Sequence, residues 1–126
     1  IKGADRTALI TDAMRGAGMP EGESTLGSLK NGLKVIIEDG VAKMPDRTSF
    51  AGSVATFDRL VRNMVNMADV SLLEAVRMAS TTPARIMGVD NRKGSLAKGK
   101  DADIVFFDEN IHVSRTMVGG KVVYSK

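Results

Sequence analysis

Thr7-Ala8-Leu9-Ile10-Thr11-Asp12 is a short apolar run that ends on a hydroxyl and a carboxylate. A short continuous apolar run bounded by polar residues reads as a strand buried on both faces, the kind found in parallel sheets. The expectation is a buried parallel strand with Asp12 at its C-terminal end. Residues 13–28 follow with Gly16, Gly18, Pro20, Gly22 and Gly27. That density of glycine and proline predicts an irregular loop, and long loops inside a domain are usually functional or mobile.

Working outward, Leu33-Lys34-Val35-Ile36-Ile37 reads as a strand and Val41-Ala42-Lys43-Met44 as its return. Glu38-Asp39-Gly40 makes the turn between them, with glycine at positive φ. Ala51-Gly52-Ser53 is a tight connection. Phe57, Leu60, Val61, Met64 and Val65 then recur at helical spacing as one apolar stripe. Ser71 and Glu74 form a capping box for a helix that runs to about Ser80. Thr82-Pro83 reads as another helix start and Gly88 as its stop. Beyond Gly88 the texture changes. Ile104–Phe107 reads as a strand, and Met117-Val118 and Val122-Val123-Tyr124 flank Gly119-Gly120 as a hairpin. The expected fold class is α/β over residues 1–90 and all-β over 91–126, with a boundary near Asn91. The β-part is too small to hold a core alone.

Composition narrows the function. The chain has 126 residues, 43% hydrophobic and 26% charged, the profile of one ordinary folded domain. No apolar run approaches the roughly 20 residues of a membrane span, and the N-terminus has no signal-peptide core, so no membrane partner is expected. The net charge of +3 is dispersed, and four Phe, one Tyr and no Trp offer little for base stacking, so no nucleic-acid partner is expected. The absence of Cys excludes disulfides, thiol nucleophiles and zinc–thiolate sites, and with eight Met it suits a reducing cytoplasm. A single His cannot form a catalytic zinc cluster and leaves little for a Ser-His-Asp triad. Any metal chemistry needs ligands from elsewhere. The chain begins with Ile1 rather than Met, which reads as a piece of a longer protein.

Two stretches can carry chemistry. Thr11-Asp12-Ala13-Met14 would set a carboxylate where α/β barrels place catalytic groups, able to take a proton from water and return it to a leaving group. The competing reading is a loop or capping Asp with local hydrogen bonds. Phe50-Ala51-Gly52-Ser53 would let backbone N–H groups approach a ligand closely; the competing reading is a turn that caps the following helix. Gly94-Ser95-Leu96-Ala97-Lys98-Gly99-Lys100-Asp101-Ala102-Asp103 holds no nucleophile and reads as a structural β-turn. His112 falls on the face opposite Ile111 and Val113, toward solvent.

Taken in order, T-D-A-M at 11–14, A-G-S at 51–53, S-L-L-E-A-V-R-M-A-S-T-T-P-A-R-I-M-G at 71–88 and G-S-L-A-K-G-K-D-A-D-I-V-F-F at 94–107 resemble the last third of the N-acetylglucosamine-6-phosphate deacetylases of the amidohydrolase superfamily. The resemblance implies the C-terminal part of a metal-dependent (β/α)8 barrel plus the C-terminal half of a small β-sandwich domain. It implies that Asp12 is the catalytic Asp and that Phe50, Ala51 and Gly52 contact the substrate, a small sugar phosphate. It also implies a divalent metal, zinc or iron, in the parent enzyme. The family's metal ligands and its phosphate- and sugar-binding residues lie upstream, so no metal and no activity are expected of this chain alone. A homo-oligomer is expected, because the Leu9-Ile10 edge and the 57–65 stripe would otherwise stay open. The rival readings are another amidohydrolase, dihydroorotase-like or cytosine-deaminase-like, and a stand-alone interaction module.

Overall fold

Asp39-Gly40 is the local signal that organises the first half of the chain. Both residues have positive φ, 54° and 68°, as a two-residue type I′ hairpin turn requires. In the computed structural model, which describes residues 2–126, this turn joins β2 (Leu33–Glu38) to β3 (Val41–Lys43). The strands pair antiparallel, with Glu38 opposite Val41 and Ile37 opposite Ala42. Charge reinforces the turn. Lys43 Nζ lies 3.1 Å from both Glu38 and Asp39, and Arg47 donates to both Glu38 carboxylate oxygens at 2.8 and 3.0 Å. Period-2 alternation puts Val35 and Ile37 on one buried face with Ala42. Val35 packs with Met14 and Ala51, and Leu26, Met44 and Val54 close round them.

Two expectations fail in this half. Residues 13–28 are not loop throughout: β1 (Gly22–Leu26) pairs antiparallel with β2, Gly22 opposite Ile37 and Leu26 opposite Leu33. Its sequence, Gly-Glu-Ser-Thr-Leu, lacks apolar alternation, and the open edge of β2 supplies the order instead. Thr7 is extended, but Thr7–Ile10 form no strand ladder. Leu9 N–H donates to Met78 O at 2.9 Å, while Ile10 is 80% exposed. A parallel strand needs a neighbouring strand to pair with, and among the described residues Thr7–Ile10 meet none. The parallel pairing begins later, as a single bridge between Ala13 and Ser53.

The chain divides into two compact units, Ile10–Phe57 and a second that joins the residues up to Leu9 with Asp58–Lys126. Asn91 lies inside the second unit. The reason is Ile111, which packs in one core cluster with Val61 of α1 (Phe57–Ala68) and Ala75 of α2 (Leu72–Ala79). The β-rich tail is thereby part of the helical unit. The same contacts partly cover the α1 stripe, which was expected to lack a partner: Val61 is buried and Met64 and Val65 are half-buried. Arg62 secures the junction, donating to the Asn110 and Ile111 carbonyls at 3.1 and 2.9 Å.

The expected cap opens α2: the Glu74 N–H donates to Ser71 Oγ at 3.3 Å and the Ser71 hydroxyl donates to the Glu74 carboxylate at 2.6 Å. α3 (Thr81–Ile86) starts two residues earlier than Thr82-Pro83 indicates, with Ser80 at its N-cap. Thr82 is buried instead, and its hydroxyl donates to Ala4 O at 2.7 Å, which ties down a 3-10 turn at Ala4–Arg6. Pro83 still falls in the first turn, where its missing N–H costs nothing. Gly88 stops the helix at φ 66°. Its N–H donates to Arg85 O and that of Val89 to Ala84 O, the paired bonds of a Schellman end.

β4 (Ile104–Phe107), β5 (Val113–Val118) and β6 (Lys121–Ser125) form an antiparallel sheet in that order. Gly119-Gly120 makes the hairpin turn as expected, at φ 55° and 78°. The 94–103 motif works as structure. Asp103 accepts the Gly119 N–H at 2.8 Å and pairs with Lys93, which also reaches Asp101 at 2.9 Å. His112 is exposed and its Nδ1 lies 3.2 Å from Asp108.

Candidate active site

The two stretches singled out in the sequence meet. The bridge Ala13–Ser53 is closed by the Met14 N–H, which donates to Ser53 O at 2.8 Å. Met14 is buried in the sheet core and anchors the segment. Two residues before it, Asp12 sits at φ 47°, a left-handed conformation that Asp and Asn adopt more readily than other side chains. Asp12 is exposed, and its carboxylate makes no hydrogen bond or ion pair among the described residues. The local bond there belongs to its neighbour, as Thr11 Oγ1 accepts the Ala13 N–H at 3.3 Å.

Asp12 opens into a cleft of about 460 Å³ lined also by Ala13, Met14, Arg15, Leu26, Gly27 and Gly52. All these residues belong to the Ile10–Phe57 unit. Gly52 has φ 83°, and a Cβ there would lie 3.4 Å from Leu26 and 3.5 Å from Met14. Its bare backbone therefore forms part of the cleft wall. Ala51 differs: its side chain is in the core and its N–H is taken by Ala42 O at 2.9 Å. Phe50 is 75% exposed and is not among the residues that line the cleft. Ser53 does not cap α1. Its Oγ accepts the Ala55 N–H at 3.0 Å, and the helix begins at Phe57.

Arg15 and Gly27 are cleft residues that the sequence alone did not single out. Arg15 follows Met14 in a glycine-rich turn, a signal that was there to be read. Gly27 reaches the cleft only because β1 pairs with β2, which no local pattern announces. As for metal, one carboxylate is not a ligand set. Among the described residues no three His, Asp or Glu side chains come together to hold an ion. The described residues by themselves do not fit a divalent-metal centre.

The site is thus a single unpaired carboxylate in a cleft whose wall includes the Gly52 backbone. The chain belongs to the amidohydrolase family, whose profile matches residues 16–123. Within that family it is 42% identical over 94% of its length to an N-acetylgalactosamine-6-phosphate deacetylase of Escherichia coli O157:H7. It is 41% identical over 97% of its length to an N-acetylglucosamine-6-phosphate deacetylase of Lysinibacillus sphaericus. The chain spans 30% of the length of each of these relatives. Among solved structures, it matches an Asp-to-Ala mutant of the Mycobacterium smegmatis N-acetyl-D-glucosamine-6-phosphate deacetylase, in complex with N-acetyl-D-glucosamine-6-phosphate. The TM-score is 0.84 at 35% identity, over 98% of this chain and 32% of that one.

Proposed function

We propose that this chain is part of a hydrolase that removes the acetyl group from N-acetylglucosamine 6-phosphate, giving glucosamine 6-phosphate and acetate. The observation that carries the reading is the unpaired Asp12 carboxylate, held at φ 47° beside the Gly52 backbone. As water attacks the amide carbon, Asp12 accepts its proton. As the C–N bond breaks, Asp12 hands that proton to the departing nitrogen, which leaves as the neutral amine rather than as an amide anion. A structurally similar deacetylase is described with one Asp replaced by Ala and N-acetyl-D-glucosamine-6-phosphate bound, which fits a reading that gives an Asp a part in turnover. Gly52 leaves room for the sugar to pack against main chain, and Phe50, exposed beside it, is the residue able to lie over the sugar. Ala51 acts through the core by holding that segment in place.

The parent enzyme would bind zinc or iron through residues outside this chain, as part of a (β/α)8 barrel to which residues 1–90 contribute its last strand and closing helices. Residues 91–126 would complete a small β-sandwich. Ile10 and the exposed Val105, Val122 and Tyr124 are then surfaces that the rest of the protein, or a second copy in a homo-oligomer, covers. Among the described residues no helix is long and apolar enough to cross a membrane. A sugar phosphate, being charged, does not leave the cell that makes it, and this favours the cytoplasm.

The similarity to an N-acetylgalactosamine-6-phosphate deacetylase favours a second substrate, the C4 epimer. Acetate release from both N-acetylhexosamine 6-phosphates, with dihydroorotate and cytosine alongside, tests the proposal on the full-length protein. Turnover of a sugar phosphate is expected. Turnover of only the cyclic amides would overturn the reading, and turnover of nothing would favour an interaction module.

A further inference from the structure

Arg15 is the cleft's cation: the other lining residues are Asp12, Ala13, Met14, Leu26, Gly27 and Gly52. One edge of its guanidinium is fixed, because an Nη2 hydrogen donates to Gly27 O at 2.7 Å. That bond ties the loop carrying Asp12 to the end of β1. The remaining donors have no partner among the described residues, and no carboxylate lies within ion-pair distance. Asp12, three residues away in the same cleft, does not neutralise it. A planar guanidinium held at one edge and open at the other is a receptor for an oxyanion, which it can meet with two parallel N–H donors.

We propose that Arg15 binds an oxyanion in the cleft, either the phosphate of the substrate or the carboxylate of the released acetate. This rests on the hydrolase reading above and adds a residue to the upstream phosphate-binding set that the family resemblance implies. Arg15 and Asp12 line the same cleft, so a bound anion would be held in the cleft of the group that transfers the proton.

The test uses the full-length protein with Arg15→Met, which removes the charge and keeps the stem, and Arg15→Lys, which keeps the charge without the planar fork. If the phosphate is the ligand, Arg15→Met raises KM for the sugar phosphate by about tenfold or more, while KM for the unphosphorylated N-acetylhexosamine stays within about twofold. If acetate is the ligand, KM is unchanged and the acetate inhibition constant rises by about tenfold instead. Arg15→Lys should recover part of either effect. Inorganic phosphate and acetate are also titrated against thermal midpoint, a readout independent of turnover. The half-saturating concentration of one of them should rise in Arg15→Met. Wild-type kinetics and unchanged anion titrations in a well-folded Arg15→Met variant would overturn the proposal. So would equal losses in Arg15→Met and Arg15→Lys, since those would trace to the Gly27 bond alone. A wild type that binds an anion through Arg15 yet releases no acetate would leave the anion site standing and sink the deacetylase reading.

Discussion

Asp12→Asn is the sharpest perturbation of this site, because the structure isolates the change. Asn is nearly isosteric with Asp and tolerates φ 47° equally well. The carboxylate is exposed and makes no bond among the described residues, so its loss unsatisfies nothing. Substitutions of that kind change stability by about 0.5 kcal/mol or less. What is lost is the capacity to accept a proton. Positioned acid–base groups contribute about 100- to 10,000-fold to rate, or roughly 2.7 to 5.5 kcal/mol of barrier. The full-length Asp12→Asn enzyme should therefore lose at least about a hundredfold in kcat, with KM far less affected and the thermal midpoint unchanged. The assay is acetate release under saturating N-acetylhexosamine 6-phosphate, alongside thermal melting and metal analysis of the same preparation. A mutant that melts normally, carries its metal and keeps kcat within about tenfold of wild type would remove Asp12 from the chemistry.

Gly52→Val should raise KM by filling the cleft wall. Because Gly52 lies at φ 83°, it should also lower the thermal midpoint by the equivalent of about 1–3 kcal/mol. Normal substrate binding in a destabilised variant would make the loop purely structural. Gly94→Ala should destabilise by about 2–4 kcal/mol without touching KM, since its Cβ would lie 2.6 Å from Ala84 Cβ and 3.0 Å from Ser80 O at φ 82°. A thermal midpoint equal to wild type would contradict the close approach. The Lys93 hydrogen bond, aided by the Gly119 N–H, holds the Asp103 carboxyl below its ordinary value of 3.8. A group depressed on folding stabilises above its unfolded pKa, and that contribution fades as pH falls through the folded one. Protection of the Gly119 amide against hydrogen exchange, corrected for intrinsic rate, should thus decline below about pH 4, and Lys93→Met should weaken that dependence. A flat profile in the wild type would count against the Asp103 anchor.

Several elements were legible in the sequence because their determinants are local. Asp39-Gly40 and Gly119-Gly120 specify hairpin turns through positive φ, which few other residues adopt cheaply. Ser71 with Glu74 specifies a helix start, and Gly88 a helix end, through backbone groups one turn away. The T-D-A-M and A-G-S stretches could be named as candidates from residue type, and their proposed roles came from the family resemblance. That they meet, through Ala13–Ser53, depends on a pairing between segments far apart in the chain.

The rest was decided by partners that no local pattern names. Gly-Glu-Ser-Thr-Leu is a strand because β2 offers an edge, whereas the more strand-like Thr7–Ile10 forms no ladder because nothing here offers it one. Thr82 looks like a helix cap and is instead a buried tether to Ala4. Ile111, a β-branched residue in a left-handed conformation at φ 61°, is held there by burial against Val61 and Ala75. Arg15 is one basic residue among many until its guanidinium meets Gly27. Turns and caps are settled by torsional preferences within a few residues. Ladders, cores and clefts are settled by which surfaces remain to be satisfied once the chain has folded back on itself.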